Sequence, residues 1–199
     1  MLRPAEPHDA ENVRRWRNHP EVRAQFLYRD VIPPDGHRVW WERMAADPGS
    51  RVLIYEHDGQ GVGAVTFKDH DPVARTAEWG FFLDLETLRP RGALFSAWIG
   101  LEQAAIRYAL DDLDLAVLGA RTLAGNKPVL TLHRRNGFIE VPDRHYTTDI
   151  DGIPADVLWL ELRADRGRYE VTASMTWSSS EAVRPAKSGR RTRRSATSR

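Results

Sequence analysis

The chain has 199 residues, room for one ordinary domain, and 41% of them are apolar, enough for a sizeable core. It has no cysteine, which excludes disulfides, thiolate metal ligands and a thiol nucleophile and fits a cytoplasmic protein. The opening MLRPAEPHDAENVRRW lacks the apolar stretch of a secretory signal, and no apolar run is long enough to span a membrane.

The net charge of +1 conceals an asymmetry. Residues 166–199 hold nine Lys/Arg and two Glu, whereas residues 1–165 hold twenty Lys/Arg against twenty-six Asp/Glu. Ser, Thr, Arg and Pro dominate after Val171, so the expected organisation is a folded domain at 1–165 and a disordered basic tail at 166–199. The tail's RRTRR cluster is the only feature that would attract nucleic acid, and a solvated extension accounts for it better.

Leu2-Arg3-Pro4 reads as a short strand. Asp9 is placed to cap a helix carrying Val13 and Trp16 and ending near His19-Pro20, with a further turn at Pro20–Phe26. Pro33-Pro34-Asp35 precedes a helix from Gly36 to Ala46, closed by Asp47-Pro48-Gly49; the adjacent Trp40 and Trp41 cannot share one of its faces. Three strands follow at Arg51–Glu56, Gly61–Lys68 and Arg75–Leu83, joined by turns at Asp58–Gly61 and Asp69–Val73, which makes an antiparallel meander. Apolar spacing of three and four then predicts a helix over Leu94–Leu110. Leu115–Leu123 is a strand, Asn126 starts a short helix stopped by Asn136-Gly137, and Phe138–Val141 and Val157–Leu162 are strands. Meander strands followed by strand–helix–strand units imply a mixed α/β (α+β) fold.

The loop Arg89-Pro90-Arg91-Gly92-Ala93 joins the third meander strand to the long helix. A helix start leaves N–H groups unbonded with the positive end of the macrodipole behind them, so it suits an anion such as a diphosphate, and Arg89 and Arg91 add charge. Loops of this kind also occur without a ligand.

Three segments together carry a resemblance: LRPAEPHDAENVRRWRNHPEVR, EWGFFLDLETLRPRGAL and NKPVLTLHRRNGF. Over residues 2–162 the chain resembles the GNAT superfamily of acetyl-CoA-dependent N-acyltransferases, and its WRN…VR opening is most like aminosugar N-acetyltransferases of the pseudaminic acid pathway and ribosomal-protein N-terminal acetyltransferases. The resemblance implies a mostly antiparallel mixed sheet with two strands splayed apart, and acetyl-CoA as co-substrate with no metal. It implies that the thioester's arm lies along Phe81, Phe82 and Leu83, and that the phosphates sit on Arg89, Arg91, Gly92, Ala93 and Leu94. In the family pattern Q/R-x-x-G-x-G/A, Leu94 stands at the last small position.

In the family segment N-x-x-A-x-x-L-Y-x-x-x-G-F, Asn126 caps a helix or touches the pantetheine arm. His133 stands at the usual Tyr, which protonates the leaving thiolate; imidazolium can do this near neutral pH, or His133 is simply a partly buried helix residue. Glu78 is the candidate base for the incoming amine, or else a surface carboxylate on an edge-like strand. Trp16, Arg17, Asn18, His37 and Trp41 are the candidate acceptor residues, with a core role the simpler reading for Trp16. The activity the resemblance implies is transfer of an acetyl group to a small primary amine, with an amino sugar, free or nucleotide-linked, as the leading acceptor. Alternatives are a protein N-terminus, an amine antibiotic, or a weakly active acyl-CoA-binding protein. A monomer or a homodimer is expected.

Overall fold

The computed structural model describes residues 1–164, and the tail expected at 166–199 lies outside them. Eight strands form one sheet. β1 (Leu2–Pro4), β2 (Arg51–His57), β3 (Gln60–Asp71) and β4 (Thr76–Leu83) pair antiparallel in succession. β5 (Val117–Leu123) lies parallel to β4. β8 (Ile153–Arg163) runs antiparallel to β5, and its other edge takes β6 (Ile139–Glu140) and β7 (Tyr146–Ile150). The mixed, mostly antiparallel architecture and its meander are those expected.

Alternation along the strands sorts residues to two faces. Ala77, Trp79 and Leu83 of β4, Leu118 and Ala120 of β5 and Leu160 and Leu162 of β8 point to one side, where α5 (Leu94–Arg107) contributes Ala97, Leu101 and Ala105. Ile54, Ala64 and Phe82 point to the other, against Val13 and Trp16 of α1 (Ala10–Asn18). α2 (Pro20–Arg23) and α3 (Pro34–Ala46) complete that second layer. Trp40 and Trp41 both reach its cluster, meeting edge to face with ring centres 6.2 Å apart. No helix among the described residues is long and apolar enough to cross a membrane.

Several boundaries differ from expectation for local reasons. α3 begins at Pro34 rather than Gly36, because proline suits the first helical turn. The long helix is regular only to Arg107 and then widens into a π turn over Tyr108–Asp112. The Leu115 N–H donates to Ala109, closing that turn, so β5 starts at Val117. A four-residue helix, α4 (Leu85–Leu88), follows β4, and the β7–β8 hairpin at Asp151-Gly152 was not anticipated.

Asp9 does not use its side chain as a helix cap. Its carboxylate accepts from Arg3 at 2.7 and 2.9 Å and from the Glu6 N–H at 2.8 Å, and Arg3 also reaches Glu56 on β2 at 2.9 Å. The hydrogen bond from Arg3 holds the Asp9 carboxyl below its ordinary value of 3.8 against the opposing effect of burial. A depressed carboxyl stabilises the fold fully above its ordinary value and loses that stabilisation as pH falls through the lower folded value. Asp9→Asn should therefore cost about 1–3 kcal/mol at neutral pH and flatten the loss of stability below about pH 4, as read by thermal denaturation across a pH series.

Candidate active site

The parallel pairing of β4 with β5 is short. It runs from Thr76↔Val117 to Trp79↔Ala120, yet β4 continues to Leu83 and β5 to Leu123. Beyond Trp79 the two strands part. On its other edge β4 stays paired with β3 to Leu83, and the Asp84 N–H donates to Val62 at 2.7 Å. Bonded residues alternate in an antiparallel ladder, so Phe82 turns its main chain to β3 while Phe81 and Leu83 turn theirs toward the gap. Of the three residues expected along the acyl donor, two thus offer backbone groups there. Phe82 instead directs its ring to the α1 face, edge to face with Phe26.

The loop after β4 is arranged differently from expectation. The Gly92 and Ala93 N–H groups are taken by the carbonyls of Arg89 and Leu88, at 3.0 and 3.1 Å. Ala97 is the first residue of α5 to donate back along the helix, to Ala93 at 2.9 Å. The outward donors are therefore those of Leu94, Phe95 and Ser96, one step later than Arg91–Ala93. Gly92 is needed for its backbone: φ is +65°, and an added Cβ would meet nothing within 4 Å. The Leu94 side chain packs against the core, so its bulk does not block the helix start. Read from Arg91, the phosphate pattern puts Ser96 at its last small position and Leu94 where the pattern has glycine. Arg89 is held in two hydrogen bonds by Glu21, both 2.7 Å, whereas Arg91 contacts the neutral Gln60 at 2.8 Å and keeps its charge for an anion.

α6 (Lys127–Arg135) is bounded at both ends by named bonds. The Asn126 side chain accepts from the Val129 N–H at 3.4 Å, so it acts as a cap. At the far end the Gly137 N–H donates to Arg134 and the Phe138 N–H to His133, the paired bonds of a Schellman stop, with Gly137 at φ +90°. The accompanying apolar contact is Phe138 stacked on His133, ring centres 4.8 Å apart. This stop fixes the His133 ring under β4, 5.5 Å from Trp79 and 6.3 Å from Phe81 by ring centres. His133 is 2% exposed, and its Nδ1 lies 2.9 Å from Oε1 of Glu102 on α5, a residue the sequence reading passed over.

On the opposite face, the helices cover β2, β3 and part of β4 but leave β5 and β8 bare. A groove of about 580 Å³ lies there, lined by Glu78, Arg121, Arg144, Tyr146, Trp159 and Glu161 among others. Glu78 is not at an edge: β4 is flanked by β3 and β5, and Glu78 is 8% exposed. Nε of Arg121 donates to both its oxygens at 2.9 Å, and Nη2 bonds it as well. Beside it Gly119 makes room for the Trp159 ring, which would lie 2.3 Å from an added Cβ. The Arg144 guanidinium lies 3.6 Å above that ring. Glu161 accepts from Trp159 Nε1, Arg144 and Arg163. Burial would raise its carboxyl, but these donors outweigh burial and hold it below the usual glutamate range. The signal for this surface was present in LWLELR, where leucines alternate with Trp159, Glu161 and Arg163.

The proposed acceptor residues of the N-terminal helices do not line this groove. Trp16 is core. The Arg17 guanidinium covers the Phe26 ring at 3.8 Å and donates to the Tyr28 carbonyl, and burial pushes it down to about 10. Asn18 both donates to and accepts from the main chain of Ile32. His37 is buried between Trp40 and Trp41. Apolar packing and backbone latching of residues 26–32 account for these side chains.

Comparison with known proteins agrees with this arrangement. Residues 1–139 match the family model described as an acetyltransferase (GNAT) domain. The chain is 24% identical over 130 residues to acetyltransferase PseH of Campylobacter jejuni, covering 65% of this chain and 76% of that protein. It is 28% identical over 143 residues to the L-amino acid N-acetyltransferase AaaT of Escherichia coli, covering 69% and 82%. The fold superposes on Vibrio cholerae spermidine N-acetyltransferase, solved with CoA and spermine, at a TM-score of 0.71 and 19% identity, covering 82% of this chain and 94% of that one. Since the family match spans well over half of the sequence, the chain belongs to the GNAT acetyltransferases and is an acetyl-CoA-dependent N-acyltransferase.

Proposed function

We propose that this enzyme acetylates the primary amine of a small acceptor that also carries an anionic group, an amino sugar in nucleotide or phosphate linkage being the leading case. The parting of β4 and β5 beyond Trp79 carries the reading, because it frees main-chain groups for the acyl donor on the same strand that brings Glu78 to the charged groove. The N–H groups of Leu94–Ser96 and the Arg91 side chain hold the diphosphate of acetyl-CoA. Main-chain groups of Phe81 and Leu83 hold its arm, and a backbone N–H there stabilises the oxyanion. Acetyl-CoA supplies the activated acyl group; the chain supplies orientation, which alone is worth several kcal/mol.

The acceptor enters from the groove. Glu78 draws in its ammonium and removes the proton through water, with Arg121 fixing the carboxylate. Arg144 and Arg163, with side chains 51% and 61% exposed, meet the anionic group, and Tyr146 offers an aromatic face to a sugar. His133 is placed to protonate the departing thiolate. A second reading, an amino acid acceptor, is favoured by the mixed charge of the lining and by the similarity to AaaT. A polyamine, with several positive charges and no anion, suits three arginines poorly.

Thiol release from acetyl-CoA over a panel of amino sugars, nucleotide-linked amino sugars, amino acids and polyamines tests the proposal. Turnover confined to acceptors with an anionic group is expected, and turnover of polyamines alone would overturn it. Glu78→Gln should lower kcat/KM by about a hundredfold or more for a protonated amine. Gly119→Ala, which must displace Trp159, should cost about 1–3 kcal/mol in stability and raise KM for the acceptor while KM for acetyl-CoA holds.

A further inference from the structure

A carboxylate faces His133 from the neighbouring helix. Glu102 is 0% exposed, its Oε1 lies 2.9 Å from Nδ1 of His133, and its Oε2 meets no hydrogen-bond partner among the described residues. Burying a carboxylate this way costs several kcal/mol unless the charge is paired. Helical spacing puts Glu102 in line with Trp98 and Ile106, where an apolar side chain would pack without that cost. The ring contacts of His133 among the described residues are with Trp79 and Phe81 from β4 and Phe138 after α6. Glu102 is therefore the charged group that the described contacts bring to this ring, in surroundings that water does not screen.

We propose that Glu102 is a positioning residue that holds His133 as the proton donor to the departing thiolate. The inference rests on the acetyl-transfer reading and adds to it a residue on α5. With the Nδ1 proton committed to the Glu102 carboxylate, Nε2 is the nitrogen left for chemistry. In the transfer the amine nitrogen bonds the carbonyl carbon, and the carbon–sulfur bond breaks with its electron pair going to sulfur. The Nε2 proton passes to sulfur and gives the free thiol. The amine proton leaves through water by way of Glu78, and His133 regains a proton from solvent.

Glu102→Gln keeps an acceptor for the Nδ1 proton and removes the charge. In the thiol-release assay kcat should fall by about tenfold or more while KM for acetyl-CoA holds within about twofold. In a His133→Gln background the same change should have no further effect on kcat, as for two residues acting as a unit. An unchanged kcat, or equal losses in both backgrounds, overturns the proposal and leaves acetyl transfer by the unaltered enzyme standing. Ring-nitrogen NMR of the unaltered protein decides the matter independently of turnover, including where a variant fails to fold. A proton on Nδ1 of His133 shared with the Glu102 carboxylate supports the pairing, and an Nδ1 without a proton overturns it.

Discussion

Two strands that part in the middle of a sheet leave backbone donors and acceptors unpaired where a sheet normally satisfies them. Beyond Trp79 and Ala120 this constraint governs the rest of the molecule. Phe81 and Leu83 cannot regain β5, so a ligand or water must answer their main chain. The long helix returning from β4 to β5 likewise begins with unbonded N–H groups, those of Leu94, Phe95 and Ser96.

The two faces are chemically unlike, as transfer between unlike substrates requires. The α5 side presents neutral backbone donors and Arg91, which is paired with a neutral amide rather than a carboxylate, above an apolar and aromatic interior. The other side is a charged surface in which the two buried carboxylates already have arginine partners: Glu78 with Arg121, and Glu161 with Arg144 and Arg163. Such pairs fix side-chain geometry more than they add stability, since part-exposed ion pairs contribute about 0–1 kcal/mol. A charged acceptor can therefore exchange with an existing partner at small net cost. The buried Glu102–His133 pair differs because water cannot replace either partner.

What could be read from the sequence followed the reach of each signal. The meander was legible because β-branched runs and Asp-Gly turns act over a few residues, and α6 because Asn126 and Asn136-Gly137 mark its ends locally. The β7–β8 hairpin carried an equally local Asp151-Gly152 signal, but Pro154 argues against a strand; the structure tolerates it near the hairpin end, opposite Asp149. Helix Leu94–Leu110 was right in period, while its π turn depends on a carbonyl contact to Leu115 that no spacing shows. The packing roles of Trp16, Arg17 and Asn18 were not legible, because these residues have the composition of a ligand site. Their partners, Phe26, Tyr28 and Ile32, lie in a loop without periodicity. Glu102 went unnoticed because an acidic residue within a helix is ordinarily solvated, and only packing shows that this one is enclosed.

Backbone amide NMR during titration with coenzyme A addresses the gap between β4 and β5 most directly. The largest shifts are expected at Leu94, Phe95 and Ser96 on the helix start and at Phe81 and Leu83 on the strand edge. Saturation that leaves these five amides unmoved, with the shifts gathered on another face of the sheet, would contradict the assignment of the acyl-donor site.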